Sequence, residues 1–537
     1  MARTSRELFF FDNTWTPQAG TSRAWISTLP MFYPKIALGG PTGSSDVFLT
    51  DAAGGLFYSG ANLSGSGGIN SITAASSPTA VVGGLTWLSV MRYSCSYGLD
   101  SQYRMYAWGS NSVGQQGTGN TTITSSPTIV AGGLKWRNMC YVEHGSLGVA
   151  EMTGGSSFGG IDALGTAYTW GANNFGQLGT NVAGGATSSP VAVVGGKTWI
   201  WMAKGAVASI TGGIMSLVDN AGAGYMCGLL NAGSGGNGVS SQVVSSPVAV
   251  IGGLKFQLIV PVAGASGGGQ GCTVLGFTTT NQMIMWGANN NGCCGTGFSP
   301  GIFPNFSTPQ IVGGGANLQW LATPGTWATT DGGLNTGNTV FAIASDFTLY
   351  AWGKNANGIL GTNDNNDYSS PVAVVGGLKW QQVFAAGNTV YGITTGGDMY
   401  GWGGNTNGQI GDGTTTNRSS PVLVTGGLKW AYGMASMTTF TNNQFVVAVD
   451  LAGRSWGWGI NANGQLGSNS VTTVSSPVAL VGAKQWNVMQ FSNYSLGQGI
   501  DVNVNATYPI LISKQNATFP SLPPLGPASA MVVEYEQ

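Results

Sequence analysis

The sequence predicts an all-β protein, a single closed β-propeller of four-stranded blades, with eight blades favoured and seven the alternative. Three observations carry this expectation. A segment of the form Trp-Gly-x-Asn-x-x-Gly-x-x-Gly recurs along the chain, a Ser-Ser-Pro signature recurs in step with it, and no long stretch shows the 3.6-residue apolar period of a helix. Composition agrees with a packed β protein. Of 537 residues only 7% are charged, against about 25% in typical soluble domains. Gly contributes 90 residues, yet 18 Trp, 17 Tyr and 20 Phe argue against a disordered Gly-rich polymer, and Gly never falls into the every-third-residue repeat of collagen.

The Trp-Gly segment has six good copies, starting at Trp108, Trp170, Trp286, Trp352, Trp402 and Trp458. Two more are degraded: Ser59 stands in the Trp slot before Asn62, and Cys227 stands there before a displaced Asn231. Each copy is followed by Ser-Ser-Pro or Ser-Thr-Pro, with prolines at 78, 127, 190, 247, 309, 371, 421 and 477. The chain then reaches Gly-Gly-Leu-Lys-Trp or a variant, ending at Trp87, Trp136, Trp199, Phe256, Trp320, Trp380, Trp430 and Trp486. Successive prolines are 49, 63, 57, 62, 62, 50 and 56 residues apart, so the template is constant and the loops vary. Such a unit cannot bury both faces alone, and closing copies into a ring does so with short, protected edges.

Within a unit the local signals are those of strands. An aromatic two residues before the Trp (Tyr106, Tyr168, Tyr350, Tyr400, Trp456) places both rings on one sheet face. Asp51, Asp162, Asp219, Asp398 and Asp450, each near a Gly, read as hairpin-turn formers. The proline is expected to open a strand such as Val372-Ala-Val-Val, since a first residue need not donate to the ladder, and Gly-Gly to close it. A ninth partial unit, Asn487 to Ser513, matches the first two strands of the template and is expected to pair with N-terminal residues to close the ring.

The string Trp-Gly-x-Asn-x-x-Gly-Gln-Leu-Gly, intact at Trp170 to Gly179 and Trp458 to Gly467, closely resembles the repeat of the regulator of chromosome condensation family. The likeness spans roughly residues 26 to 513. It implies a propeller fold, seven-bladed in the best-known members, and nucleotide exchange on the GTPase Ran on chromatin. That activity relies on charged loops and a basic tail, whereas the first 24 residues here offer Arg3, Arg6 and Arg23, and neither Ran exchange nor chromatin binding is expected.

The residues offer little chemistry. Gly155-Ser156-Ser157-Phe158-Gly159 matches G-x-S-x-G, but the hydrolase elbow needs a strand-to-helix turn and a later histidine, and the single histidine is His144. Gly195-Gly196-Lys197-Thr198 imitates the end of a phosphate loop, yet its first glycine would fall at Val191, so it reads as a variant of the Gly-Gly-Leu-Lys turn. Cys95, Cys140, Cys227, Cys272, Cys293 and Cys294 form no C-x-x-C pair and read as reduced thiols, Cys293 and Cys294 as packing residues. The oxygen-rich run Asn363 to Asp367 lacks the Gly and Glu of an EF-hand loop. The expectation is therefore a non-enzyme with no catalytic residue, cofactor or metal, in which the repeated Trp residues pack between blades rather than stack on sugars.

Residues 1–25 read as an N-terminal segment for attachment or ring closure, 26–513 as the propeller with its closing unit, and 514–537 as a Pro-rich arm (Pro520, Pro523, Pro524, Pro527). The four-residue apolar run Leu8 to Phe11 is too short for a signal core of about 7 to 15 residues, and no stretch approaches the ~20 apolar residues of a membrane span. A net charge of −1 gives no footprint for nucleic acid. Together these readings point to a phage virion component of a tail, fibre or capsid surface. The alternative is a bacterial carbohydrate- or protein-binding propeller at the cell surface or outside it. The expected partners are other virion or surface proteins and host surface glycans, with oligomerisation through the terminal arms.

Overall fold

Strand pairing divides the chain into eight antiparallel sheets, each built from three hairpin-connected outer strands and one inner strand (A to D from the axis outward). The computed structural model describes residues 46–491 apart from residue 52 and the segments 93–94, 143–156, 207–212, 263–271, 298–303, 314–317, 323–324, 331–338, 438–443 and 482–485. The sheets form one ring of eight blades, and among the described residues the only helical pieces are single 3-10 turns such as Ala356–Gly358. Blades are numbered in chain order by strand B: blade 1 holds Asp46–Asp51, blade 3 Ser157–Asp162, blade 4 Gly213–Asp219, blade 5 Thr273–Thr278, blade 6 Thr339–Ile343, blade 7 Thr389–Thr394 and blade 8 Gln444–Asp450. Blade 2 shows the plan: Trp87–Arg92, Cys95–Asp100, Met105–Gly109 and Thr124–Ile129. Blade 4 adds a fifth strand, Tyr141–Val142, parallel to its inner strand Trp199–Ala206. In blade 6 an insertion separates Trp320, bridged to Ala344, from the inner strand Trp327–Thr330.

Closure follows the expectation from the ninth partial unit. Asp46–Asp51, Leu56–Gly60 and Ala75–Ala80 supply strands B to D of blade 1, and Trp486–Phe491, from the other end of the chain, supplies strand A by pairing antiparallel with Asp46–Asp51. Residues 492–513, like 1–45 with the Phe9 to Phe11 cluster and the arm 514–537, lie outside the described residues.

The sequence repeat and the blade are offset. Strand C carries Trp-Gly, the following loop carries Asn-x-x-Gly-x-x-Gly, strand D carries Ser-Ser-Pro, and the closing Trp begins strand A of the next blade. Each repeat therefore joins two blades. The proline corrects the sequence reading: in Tyr368–Ala373 and its equivalents it sits inside strand D, not at its start. It is tolerated because D is the edge strand and its ladder with strand C shifts register between Ala351 and Gly353.

Aromatics fill each blade. The Trp87 ring lies 5.6 Å from both Tyr106 and Trp108, and Trp380 stands 5.8 Å from Tyr400 and 5.7 Å from Trp402, so the two strand-C aromatics share one face as expected. Strand B makes room with glycine: a Cβ on Gly98 would lie 2.2 Å from the Trp87 ring, and one on Gly392 2.4 Å from Trp380. All six motif Trp side chains are fully buried. Truncating Trp402 or Trp458 to Ala should cost on the order of 3 to 5 kcal/mol, read by urea unfolding, through lost burial and a cavity. A loss no larger than that of surface variants would show that the repeat does not hold the ring together.

Candidate functional site

The repeat motif spends its distinctive residues on junctions between blades. The indole N–H of Trp108 donates to the carbonyl of Ser66 at 2.7 Å, Trp170 to Gln115 at 2.8 Å, Trp286 to Ser234 at 2.9 Å, and Trp352 to Cys293, Trp402 to Ile359 and Trp458 to Gln409, each at 2.8 Å. Every acceptor is the eighth residue of the motif in the preceding blade. The tenth residue is a glycine with positive φ lying under that indole: a Cβ on Gly117 (φ 68°) would be 2.7 Å from Nε1 of Trp170. The seventh does the same against strand D, where a Cβ on Gly114 would meet Cα of Ser188 at 2.6 Å. The motif Asn shapes the loop itself: Oδ1 of Asn111 accepts from the Gln116 amide at 3.0 Å while Nδ2 donates to the carbonyls of Asn120 and Thr122.

Strand register places the start of A, the B–C turn and the D–A turn on one face of the ring, and the end of A, the start of B and the C–D loop on the other. The first face carries paired charges. Arg104 meets Asp100 at 2.6 Å, Lys197 meets Asp219 and Lys379 meets Asp346 at 3.1 Å, and Lys429 meets Asp398 and Arg454 meets Asp450 at 2.8 Å. Asp51, Asp162, Asp219 and Asp450 form their turns as expected, each Oδ1 accepting amides two and four residues on. Asp398 does not: Thr394 occupies that slot, accepting the Asp398 amide at 3.1 Å, because the hydroxyl can replace the carboxylate in this turn.

On the second face the exposed charges among the described residues are confined to blades 6 and 7: the pairs Lys354–Asp367 and Arg418–Asp412, and Asp364. Buried polar clusters lie beneath it at blade junctions, and two of them hold an ionisable side chain at the same strand-A position. At the junction of blades 1 and 2, the Asp46 carboxylate accepts from Arg92 Nε at 3.1 Å, Ser66 Oγ at 2.7 Å, the Asn62 amide at 3.2 Å and the Tyr58 hydroxyl. At the junction of blades 3 and 4, Ser157 takes the place of Asp46 and Lys204 that of Arg92, the two hydrogen-bonded and almost wholly buried. Burial lowers the Lys204 amine to about 8, and burial pushes the nearby thiol of Cys227 up to about 12 and that of Cys140 higher still.

The remaining sequence candidates fall into structural roles. Ser157 begins a strand rather than an elbow. Lys197 sits in a turn over the Tyr225 ring at 4.7 Å. All six cysteines are buried and joined in no disulfide, with Cys293 and Cys294 filling the eighth and ninth motif positions. In the Asn363 to Asp367 run, Asp364 accepts from Thr362, Asn366 and Tyr368, and Asp367 from Lys354, so both carboxylates hold the loop. Among the described residues no three His, Cys, Asp or Glu side chains gather as a metal group, and His144 lies outside those residues. Sequence reading missed Lys204 and Arg92. Both stand five residues after the inner-strand aromatic, a column that holds Tyr141, Pro261, Ala385 and Ala435 in other blades.

The Lys204 environment has a testable sign. Its amine gives up a proton at about 8 in the fold but at about 10.5 when unfolded, so the unfolded state binds more protons between those values and stability rises with pH across them. The cost of burying the charge, on the order of 3 kcal/mol, is complete below pH 8. Lys204→Met should therefore stabilise the protein at pH 7, and its advantage over the parent should shrink toward pH 10.5 in urea unfolding at low salt. A pH-independent difference would mean that Lys204 remains charged throughout.

The model of the "Regulator of chromosome condensation (RCC1) repeat" matches residues 165–209, 348–392 and 396–432. Each match runs from a strand-C hairpin through strand D into the next blade, the same offset unit seen in the fold. Similar solved structures include human WBSCR16 (14% identity, TM-score 0.48, covering 73% of this chain and 96% of that one). Prp20p from Saccharomyces cerevisiae, described with its binding properties to Gsp1p and histones, is similar at 14% identity and TM-score 0.47, covering 75% and 91%. Yeast RCC1 (Prp20), in a complex with Kap60, matches at 14% and 0.49, covering 78% and 93%. With eight offset units closed into one ring, the chain is an RCC1-like β-propeller.

Proposed function

We propose that this chain is a non-enzymatic interaction propeller serving as a structural component of a phage virion, in a tail, fibre or capsid surface, where it meets a neighbouring subunit or the host. One observation carries the interaction reading. On the second face, the C–D loops of five consecutive blades, 8 through 4, present Val471, Ile72, Ile123, Val182 and Val239 between 41% and 72% exposed. β-Branched apolar side chains repeated around five blades whose described residues bring no exposed charge to this face suit a contact with another protein; the opposite face also exposes Leu164 and Leu451, but sets them among charged side chains. Both ends of the described chain, Asp46 and Phe491, also lie at this face, so the segments beyond them start there.

The non-catalytic reading is supported by how the chemistry is spent. The repeated Trp, Asn and Gly residues are committed to junctions, and Ser157, the one motif-borne nucleophile, is 2% exposed and faces Lys204. The virion reading is supported by composition: 7% charged residues and a polar surface rich in Gly, Ser, Thr and Asn.

Density-gradient fractionation of the native source tests the location. The chain should sediment with particles; recovery with cell envelopes or in the soluble fraction would favour the bacterial binding propeller and overturn the virion reading. The face is tested by changing Ile72, Ile123 and Val471 to Asp together. Stability should move by no more than about 0.5 kcal/mol per site, while incorporation into particles falls. Deleting 514–537 should likewise leave the ring folded and weaken incorporation; normal assembly of both variants would refute the assigned contacts.

A further inference from the structure

Seven of the eight blades take their inner strand from the residues just before strand B. In blades 2 to 8 the closing Trp or Phe of the repeat precedes strand B by 8 to 21 residues, as Trp87 precedes Cys95 and Trp136 precedes Ser157. Blade 1 alone draws its inner strand, Trp486–Phe491, from the other end of the chain. That strand holds one edge of Asp46–Asp51, and Leu56–Gly60 holds the other.

The sequence before Asp46 nevertheless contains an inner-strand pattern at the local spacing. Trp25-Ile26-Ser27-Thr28-Leu29-Pro30 begins 21 residues before Asp46, the spacing found in blade 3. It matches Trp87-Leu88-Ser89-Val90-Met91-Arg92 in opening on Trp, with Ser at the third place, a β-branched residue at the fourth and a long apolar one at the fifth. Its sixth place holds Pro30, as the inner strand of blade 5, which begins at Phe256, holds Pro261. Arg23 stands two residues ahead of Trp25 as Lys197 does ahead of Trp199. The chain thus carries nine inner-strand sequences, seven in blades 2 to 8 and two for blade 1, for eight places. The fifth place sets the two apart. In other blades it is apolar and buried, as Met91, Ala203, Val260, Phe384 and Met434. Trp486–Phe491 pairs Gln490 with the fully buried Phe48 at this place, whereas the N-terminal sequence would bring Leu29, which suits an apolar column better than an amide.

Both sequences reach the same edge. Residues 31–45 join the N-terminal sequence to strand B, and residues 480–485 join strand D of blade 8 to Trp486; loop-closure entropy grows so slowly with length that neither connection excludes the other. The edge of Asp46–Asp51 has room for one strand. We propose that residues 25–30 are a second inner strand for blade 1 that exchanges with Trp486–Phe491, so that the ring stays closed by its N-terminal strand while residues 486–537 are released from it. The ring then has two closed states, and the structure shows the C-terminal one. The exchange frees 52 residues at the C-terminus without opening the ring. The inference holds whether or not the chain belongs to a virion.

Amide hydrogen exchange of the full-length chain, read peptide by peptide, tests this. Met489→Pro together with Gln490→Pro removes two consecutive N–H groups, one of which must face strand B because ladder bonds alternate along an antiparallel strand. In this variant Asp46–Asp51 should keep its protection within about threefold of the parent, while residues 26–29 exchange about tenfold or more slowly than in the parent. Adding Ser27→Pro and Thr28→Pro should then speed exchange over Asp46–Asp51 by about a hundredfold or more. Lost protection of Asp46–Asp51 in the first variant, no slowing at residues 26–29, or protection that survives all four prolines would each overturn the proposal. Should the proline variants fail to fold, crosslinking in an otherwise parental chain decides. With Ser27→Cys and Thr50→Cys a short thiol crosslinker should join the two positions within one chain and speed exchange over residues 486–491, whereas Ser22→Cys with Thr50→Cys should not crosslink. No crosslink from position 27, or equal crosslinking from position 22, would refute the second strand.

Discussion

The ring depends on one contact repeated around it: an indole N–H from strand C reaching the carbonyl of the eighth motif residue in the blade before. A blade of four short strands has two faces to bury and an inner edge to protect, and it can do neither alone. The indole solves the first problem by covering the neighbour's loop with apolar surface, and its single donor satisfies a carbonyl that the turn would otherwise leave buried and unpaired. The requirement propagates. The tenth residue must be Gly because the indole occupies the place of its Cβ, and the seventh because strand D of the next blade presses on it. The Asn at position four holds the loop so that the eighth carbonyl faces outward to the next blade. The 10-residue motif thus records the geometry of a junction, which is why it tolerates loop insertions of more than ten residues without losing its pattern.

Where the indole is missing the ring adapts. Ser59 replaces it in blade 1 and Cys227 in blade 4, and these two blades take part in the two buried ionisable junctions, Asp46 with Arg92 and Ser157 with Lys204. The first is compensated by four donors on one carboxylate. In the second, Lys204 is hydrogen-bonded to the Ser157 hydroxyl, and this places a weakly basic amine beneath the face that carries the exposed Val and Ile side chains. The two faces therefore differ: one is studded with pairs whose Lys and Arg heads reach solvent, and the other, among the described residues, carries its exposed charges on blades 6 and 7 and has polar clusters sealed beneath it.

Much of this was legible in the residues because burial and turn chemistry are local. The eight proline-marked units set the blade count, and the half-buried aromatics two residues before five of the six motif Trp residues announced a shared strand face. Asp turn formers were identifiable at Asp51, Asp162, Asp219 and Asp450, each within reach of its own backbone. Asp398 was misread because Thr394 does the same work four residues earlier, and a hydroxyl carries no compositional flag. The proline was placed at a strand start because its missing N–H is harmless there; it is harmless on an outer edge as well, and only the ladder shows which edge is free.

What the chain determined by itself was therefore the unit: its strands, its turns, its number of copies and the burial of its tryptophans, all written in residues that act on neighbours close in sequence. What tertiary structure alone decided was which copies face one another and what meets where they do. Arg92 finds Asp46 across 46 residues, and Lys204 finds Ser157 across 47. Nothing in either local sequence marks a partner. The ring brings equivalent columns of successive repeats to one point beneath a face, and the electrostatics of that point depend on side chains from two blades. A carboxylate in one column makes a closed ion pair; its absence in another leaves a buried amine whose charge is governed by desolvation, a property that belongs to the packed ring and to no segment of it.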